Sequence, residues 1–68
     1  MIIVGSIIRN KRKDLHITGP ELARRTGVTK GYISQLELGI IKEPSAKVLY
    51  KISSVLGLNL VDLIKTEL

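Results

Sequence analysis

The side chains of this sequence that can recognise another molecule lie mostly between Arg12 and Ser45. They are the cations Arg12, Lys30 and Lys42, the hydroxyls of Thr18, Thr29, Tyr32, Ser34 and Ser45, and the amide of Gln35. These groups hydrogen-bond and pair charge; they do not by themselves break bonds. Cysteine is absent and His16 is the sole histidine, which excludes disulfides, thiolate chemistry and a Cys/His zinc site. No nucleophile, base and orienting group recur in a catalytic pattern. A chain of 68 residues is one domain, 1–68, with scarcely room for a cleft of its own. The expectation is a binding protein with no catalytic residue, metal or cofactor.

Charge narrows the partner. The net charge is +5 with a pI near 9.9. Residues 1–30 carry seven bases against two acids, whereas residues 31–68 carry four of each. The excess therefore sits in the first half, as expected if that half meets a polyanion and the neutral, leucine-rich second half does something else. No apolar run approaches the ~20 residues that span a bilayer, and the start lacks the pattern of a signal peptide. The expected location is the cytoplasm, with no membrane partner.

Five short helices are predicted to position these groups. In the first, Val4, Ile8, Lys11, Arg12 and Leu15 share one stripe, so Arg12 lies on an inner face. The second spans residues 19–26, with Thr18 as its cap, Glu21 bonding back to the cap in return, Pro20 in the first turn and Gly27 at its end. Thr29 caps a third, residues 30–38, whose stripe is Ile33, Leu36 and a second inner charge, Glu37. Ser45 caps a fourth, which carries Val48, Leu49, Ile52, Val55 and Leu56 and ends at Gly57. Asn59, with Asp62 three residues on, caps a short fifth that buries Leu60, Leu63 and Ile64. Residues 1–4 fit a frayed end, the start of the first helix, or an edge strand shared with another copy. The fold class expected is an all-α, compact five-helix bundle.

Two short helices around a tight turn, with small residues at Ala23 and Gly27 and anchors at Ile33 and Leu36, have the spacing of a helix-turn-helix. The second helix of that unit enters the DNA major groove. An ordinary αα-hairpin has the same small residues at its bend, so the longer text decides. The run T-G-P-E-L-A-R-R-T-G-V-T-K-G-Y-I-S-Q-L-E-L-G, followed by P-S and by L-Y-K-I-S-S-V-L-G-L-N-L-V-D-L-I, resembles the XRE family of lambda-repressor-like DNA-binding domains over residues 4–65. The resemblance implies a five-helix bundle, usually dimeric, that binds a palindromic operator. Two positions depart from the family: Gly19 replaces a common Gln that reaches phosphate, and Leu38 replaces a common Arg or Asn. His16 stands where the family prefers glycine at a helix end.

On a helical wheel Lys30, Gly31, Ser34 and Gln35 face away from the Ile33/Leu36 stripe and are the candidate base-contacting residues. Lys30 suits guanine O6/N7 and Gln35 suits adenine N6/N7; the resemblance puts both at base-reading positions. Gly31 either lets backbone approach or is silent. Phosphate contacts are expected from Thr29 and Tyr32, Ser45, Arg12 and, more weakly, Thr18; the resemblance adds Lys42. Arg9, Lys13, Arg24 and Arg25 are expected to be solvated surface. Arg12 and Glu37, opposite charges on inner faces, are expected to pair with each other, with spare guanidinium donors for a phosphate. Many family members pair these two positions.

The reading that follows is a transcription regulator that binds double-stranded DNA, most simply a repressor and a homodimer. One small reader makes too few contacts for tight specific binding. Leu58, Val61 and Leu68 are the expected dimer contact, with Ile7 and the Ile2-Ile3 arm as the alternative. The competing reading is a protein-interaction module, such as an antitoxin that masks a partner protein.

Overall fold

In the computed structural model, which describes residues 2–41 and 43–65, three helices start where a hydroxyl can accept a backbone N–H. The helices α2 (Gly19–Thr26), α3 (Lys30–Glu37) and α4 (Ala46–Leu56) follow Thr18, Thr29 and Ser45. Their side-chain oxygens accept from Glu21 N at 3.2 Å, Tyr32 N at 3.1 Å and Val48 N at 3.1 Å. Each cap is worth about 1 kcal/mol. The first helix, α1 (Gly5–Asp14), has no such cap. Val4 before it is instead tied across the molecule, its N–H donating to Leu63 O at 2.9 Å.

All four helices stop alike. The second or third residue past each end reaches back with its N–H: Ile17 to Arg12 O at 3.0 Å, Val28 to Ala23 O at 3.1 Å, Ile40 to Gln35 O at 2.9 Å and Leu58 to Ser53 O at 2.8 Å. This closure requires a left-handed residue just before the donor. Gly27 supplies it in the α2–α3 turn, with φ 75°. After α1 the same place is filled by His16, with φ 58°, the only non-glycine at positive φ among the described residues. A side chain there strains the backbone by roughly 1–2 kcal/mol.

The core gathers Ile8 of α1, Leu22 and Ala23 of α2, Ile33 and Leu36 of α3, Leu49, Ile52 and Leu56 of α4, and Leu63. Of the aliphatic stripes predicted for the helices, Ile8, Ile33, Leu36, Leu49, Ile52, Leu56 and Leu63 are in this core, and Val4, Val48, Val55, Leu60 and Ile64 are half-buried. Leu15 terminates α1 and is 43% exposed. The two buried polar residues, Thr26 and Ser53, donate to helix carbonyls at 2.8 Å, so neither hydroxyl is orphaned.

The predicted fifth helix is not a helix of the α type, and the five-helix count is corrected to four among the described residues. Leu60–Leu63 is a single 3₁₀ turn, with Asn59 N donating to Asp62 Oδ2 at 2.9 Å. The chain then extends: Ile64 has φ −116° and ψ 127°, and Ile64–Lys65 (β2) pairs antiparallel with Ile2–Ile3 (β1), Ile2 opposite Lys65 and Ile3 opposite Ile64. The arm at residues 2–3 is thus an edge strand, but its partner belongs to the same chain. A turn of four residues is too short for helical periodicity to stabilise, and pairing of β1 with β2 gives the extended segments the hydrogen bonds that a longer helix would have supplied.

Gly5 opens α1 in a buried position. A Cβ there would overlap the backbone carbonyls of Leu36 and Glu37 at the end of α3, so the two helices approach closely only because the side chain is absent. Gly5→Ala is expected to destabilise the domain by about 1–3 kcal/mol in urea unfolding, since backbone rather than a flexible side chain must yield. His16→Gly is expected to do the opposite, raising stability by about 0.5–1 kcal/mol, the released strain less the added freedom of the unfolded chain. In thermal unfolding that is about 2–8 °C.

Candidate nucleic-acid interface

Residues 27–29 join α2 to α3, and α3 turns its apolar edge inward. Ile33 and Leu36 are each 1% exposed, whereas Lys30, Gly31, Ser34 and Gln35 are all exposed on the opposite edge. Thr18, Thr29 and Ser45 are exposed at the starts of their helices, and each spends its hydroxyl lone pair on capping while its O–H is free to donate. Tyr32 is half-buried, with its ring against the core. The fold therefore brings the four base-reading candidates onto one face, with hydroxyls near the ends of the three capped helices. Lys42 and Leu68 lie outside the described residues.

Arg12 and Glu37 hold α3 from below. Arg12 Nε donates to Glu37 Oε2 at 2.7 Å and Nη2 to Oε1 at 3.0 Å, a bidentate pair. Nη1 donates to Ile17 O at 3.0 Å. One guanidinium thus fastens α1, the residue that starts the α1–α2 connection's exit, and the last turn of α3. The side chains are 15% and 7% exposed. The hydrogen bonds that Arg12 donates to Glu37, with burial opposing and the carboxylate charge adding, raise the Arg12 pKa above its ordinary value. A raised pKa on a base means the contribution is fully present below the ordinary arginine range and is lost only as pH rises through the higher value. The arginine side of this clasp therefore stays charged throughout neutral pH.

Glu21 does not complete the capping box expected for α2. Its carboxylate accepts from Arg24 one turn on and lies 3.5 Å from Arg25 Nε. The hydrogen bond from Arg24 is the main reason its pKa lies below the ordinary carboxylate value. Two cations expected to be solvated surface are exposed but share an acid, while Lys30, at the start of α3, has no ion-pair partner among the described residues.

The expected dimer residues are dispersed. Leu58 is half-buried against the core, as is Ile7, while Val61 is 69% exposed. Sequence reading missed Leu38, Ile40 and Tyr50, which are 66%, 59% and 65% exposed. Leu38 and Ile40 flank Gly39 after the end of α3, where no periodicity assigns a face.

Residues 8–63 match the family model described as helix-turn-helix. The HTH-type transcriptional regulator SlrR of Bacillus subtilis is 37% identical over 65 residues, 96% of this chain and 43% of that protein. An uncharacterised HTH-type transcriptional regulator of Mycobacterium tuberculosis is 44% identical over 52 residues, 76% of this chain and 36% of its own length. The P22 c2 repressor in complex with a synthetic operator superposes with a TM-score of 0.86 at 31% identity, covering 98% of this chain and 100% of that one. SinR, the master regulator for biofilm formation, in complex with DNA gives 0.82 at 34% identity, over 90% and 97%. The chain belongs to the XRE-type helix-turn-helix family and has its lambda-repressor-like fold. It spans less than half the length of the two curated relatives.

Because breaking a buried pair strands the partner's charge, Arg12→Met or Glu37→Leu alone is expected to cost about 3 kcal/mol in urea unfolding, the low end of the range for buried pairs given the residual exposure of Arg12. The double replacement is expected to recover most of that loss, which a double-mutant cycle measures directly.

Proposed function

We propose that this chain is a sequence-specific, double-stranded-DNA-binding transcription regulator: a homodimeric repressor that reads a palindromic operator through α3 in the major groove. The observation that carries this reading is the division of α3, whose inner edge is clamped by the core and by Arg12 while Lys30, Gly31, Ser34 and Gln35 stand exposed. Support comes from the family and from two structural neighbours solved on DNA. Lys30 would donate to guanine, Gln35 would take the paired contact to adenine, and Ser34 would read either a base or a phosphate. Thr18, Thr29, Tyr32 and Ser45 would hold the backbone through hydroxyls, joined by Lys42 and by the spare N–H groups of Arg12. Among the described residues no helix is long and apolar enough to cross a membrane.

Two copies are needed to space two readers about one helical turn apart. The proposed contact lies around Leu58 and Val61, with Leu68 beyond the described residues; exposure of Val61 supports it. A second reading, a module that captures a protein partner, draws on the same apolar exposure and on a structural neighbour solved as a SinR/SinI protein complex, which superposes with a TM-score of 0.84.

Selection from a random duplex library tests both readings. The expected result is enrichment of a palindrome whose log affinity falls steeply with log salt. Lys30→Ala and Gln35→Ala should each lose about 1–3 kcal/mol against the enriched base pair and relax preference there. Equal weakening on every sequence would remove these residues from base reading, and co-purification of a second chain with no enriched DNA would favour the interaction module.

A further inference from the structure

Six glycines punctuate the chain, and four have a reason in the fold. Gly5 admits the end of α3, and Gly27, Gly39 and Gly57 take positive φ at helix ends. Gly19 and Gly31 have neither reason. Both are helical, neither has positive φ, a Cβ on Gly19 would meet nothing within 4 Å, and one on Gly31 would meet only Thr29 Oγ1 at 3.9 Å. Glycine inside a helix loses more freedom on folding than any other residue. In a domain this small, two such positions are a cost the fold does not require.

The two glycines share one place. They line a recess of about 350 Å³ between the start of α2 and the flank of α3, shared with Pro20, Lys30, Ile33, Ser34 and the Arg12–Glu37 pair. The charge of Arg12 is already matched by Glu37, and three of its five N–H groups are engaged. Among the described residues Lys30 is then the one cation at the recess with no ion-pair partner, too little to make it a phosphate cage. A slot between an ammonium and a hydroxyl fits a planar edge that offers an acceptor to each.

We propose that Gly31, helped by Gly19, is a specificity determinant by absence: it keeps open a recess that receives the major-groove edge of one base pair between Lys30 and Ser34. This rests on the DNA-reading assignment of α3. A side chain at position 31 would hold the helix away from the groove floor and withdraw both polar contacts together. The site therefore selects by depth as well as by hydrogen bonds, and Lys30 reaches its base only while position 31 is bare.

The test uses the full chain and the duplexes that the wild type enriches from a random library. Gly31→Ala is expected to raise the folding equilibrium constant about two- to five-fold, because alanine suits the helix and meets no obstacle. It is expected to weaken binding to the enriched duplex at least ten-fold while leaving low-salt binding to unrelated duplex unchanged. Reselection with Gly31→Gln is expected to alter preference at one position per half-site, and Gly19→Ala is expected to give a smaller loss of the same kind. If Gly31→Ala binds the enriched duplex within two-fold of wild type, or weakens all duplexes alike, the recess does not receive a base edge. In that case enrichment by the wild type still upholds DNA reading by α3. A wild type that enriches nothing overturns both.

Discussion

The bidentate contact between Arg12 and Glu37 is the constraint on which the rest of this structure depends. A helix of eight residues is too short to be stable alone in water. The shape of α3 is imposed by what it packs against: Ile33 and Leu36 anchor its middle, and the Glu37 carboxylate pins its last turn to Arg12. The third arm of the guanidinium, on Ile17 O, places the start of α2 relative to that turn. Gly5 then brings α1 against the same end of α3, closer than any side chain would permit. Two contacts, the Arg12–Glu37 clasp and the close approach of Gly5, thus converge on the C-terminal end of α3, while Lys30 and Gly31 at its start stand exposed.

That arrangement explains the uneven charge. The basic first half supplies α1 and α2, which flank α3, whereas the neutral second half supplies α4 and the 3₁₀ turn that close the core from behind. A reader of polyanions benefits from keeping its positive potential on one side, because long-range attraction then orients the molecule before contact. Pairing of Arg24 and Arg25 with Glu21 lowers the local excess without abolishing it.

Much of this was legible in the sequence where the cause is local. Thr18, Thr29 and Ser45 mark helix starts because their hydroxyls cap within three residues, and Gly27, Gly39 and Gly57 mark ends by the conformation they allow. The two inner charges stood out because the apolar stripes left them no solvent, and the structure holds them 2.7 and 3.0 Å apart at their bonded atoms. What could not be read depends on chain segments far apart. The β1–β2 pair joins two-residue strands from opposite ends, too short to alternate, and without that pairing Leu60 to Ile64 looks like one more helical turn. Gly5 carries no signal until α3 is seen against it. The choice of Glu21 between its cap and Arg24 is a competition between nearly equal partners, which spacing alone does not decide.

The most direct measure of the central claim, that α3 is clamped on its inner edge and free to engage DNA on its outer one, is residue-resolved NMR of the chain titrated with the duplex it enriches. The account expects the large amide shifts at Lys30, Gly31, Ser34 and Gln35 and at the capping Thr18 and Thr29, with the hydrogen-exchange protection of Ile33 and Leu36 retained. Shifts concentrated at Leu58 and Val61 with α3 unmoved, or loss of protection at Ile33 and Leu36 on binding, would contradict it.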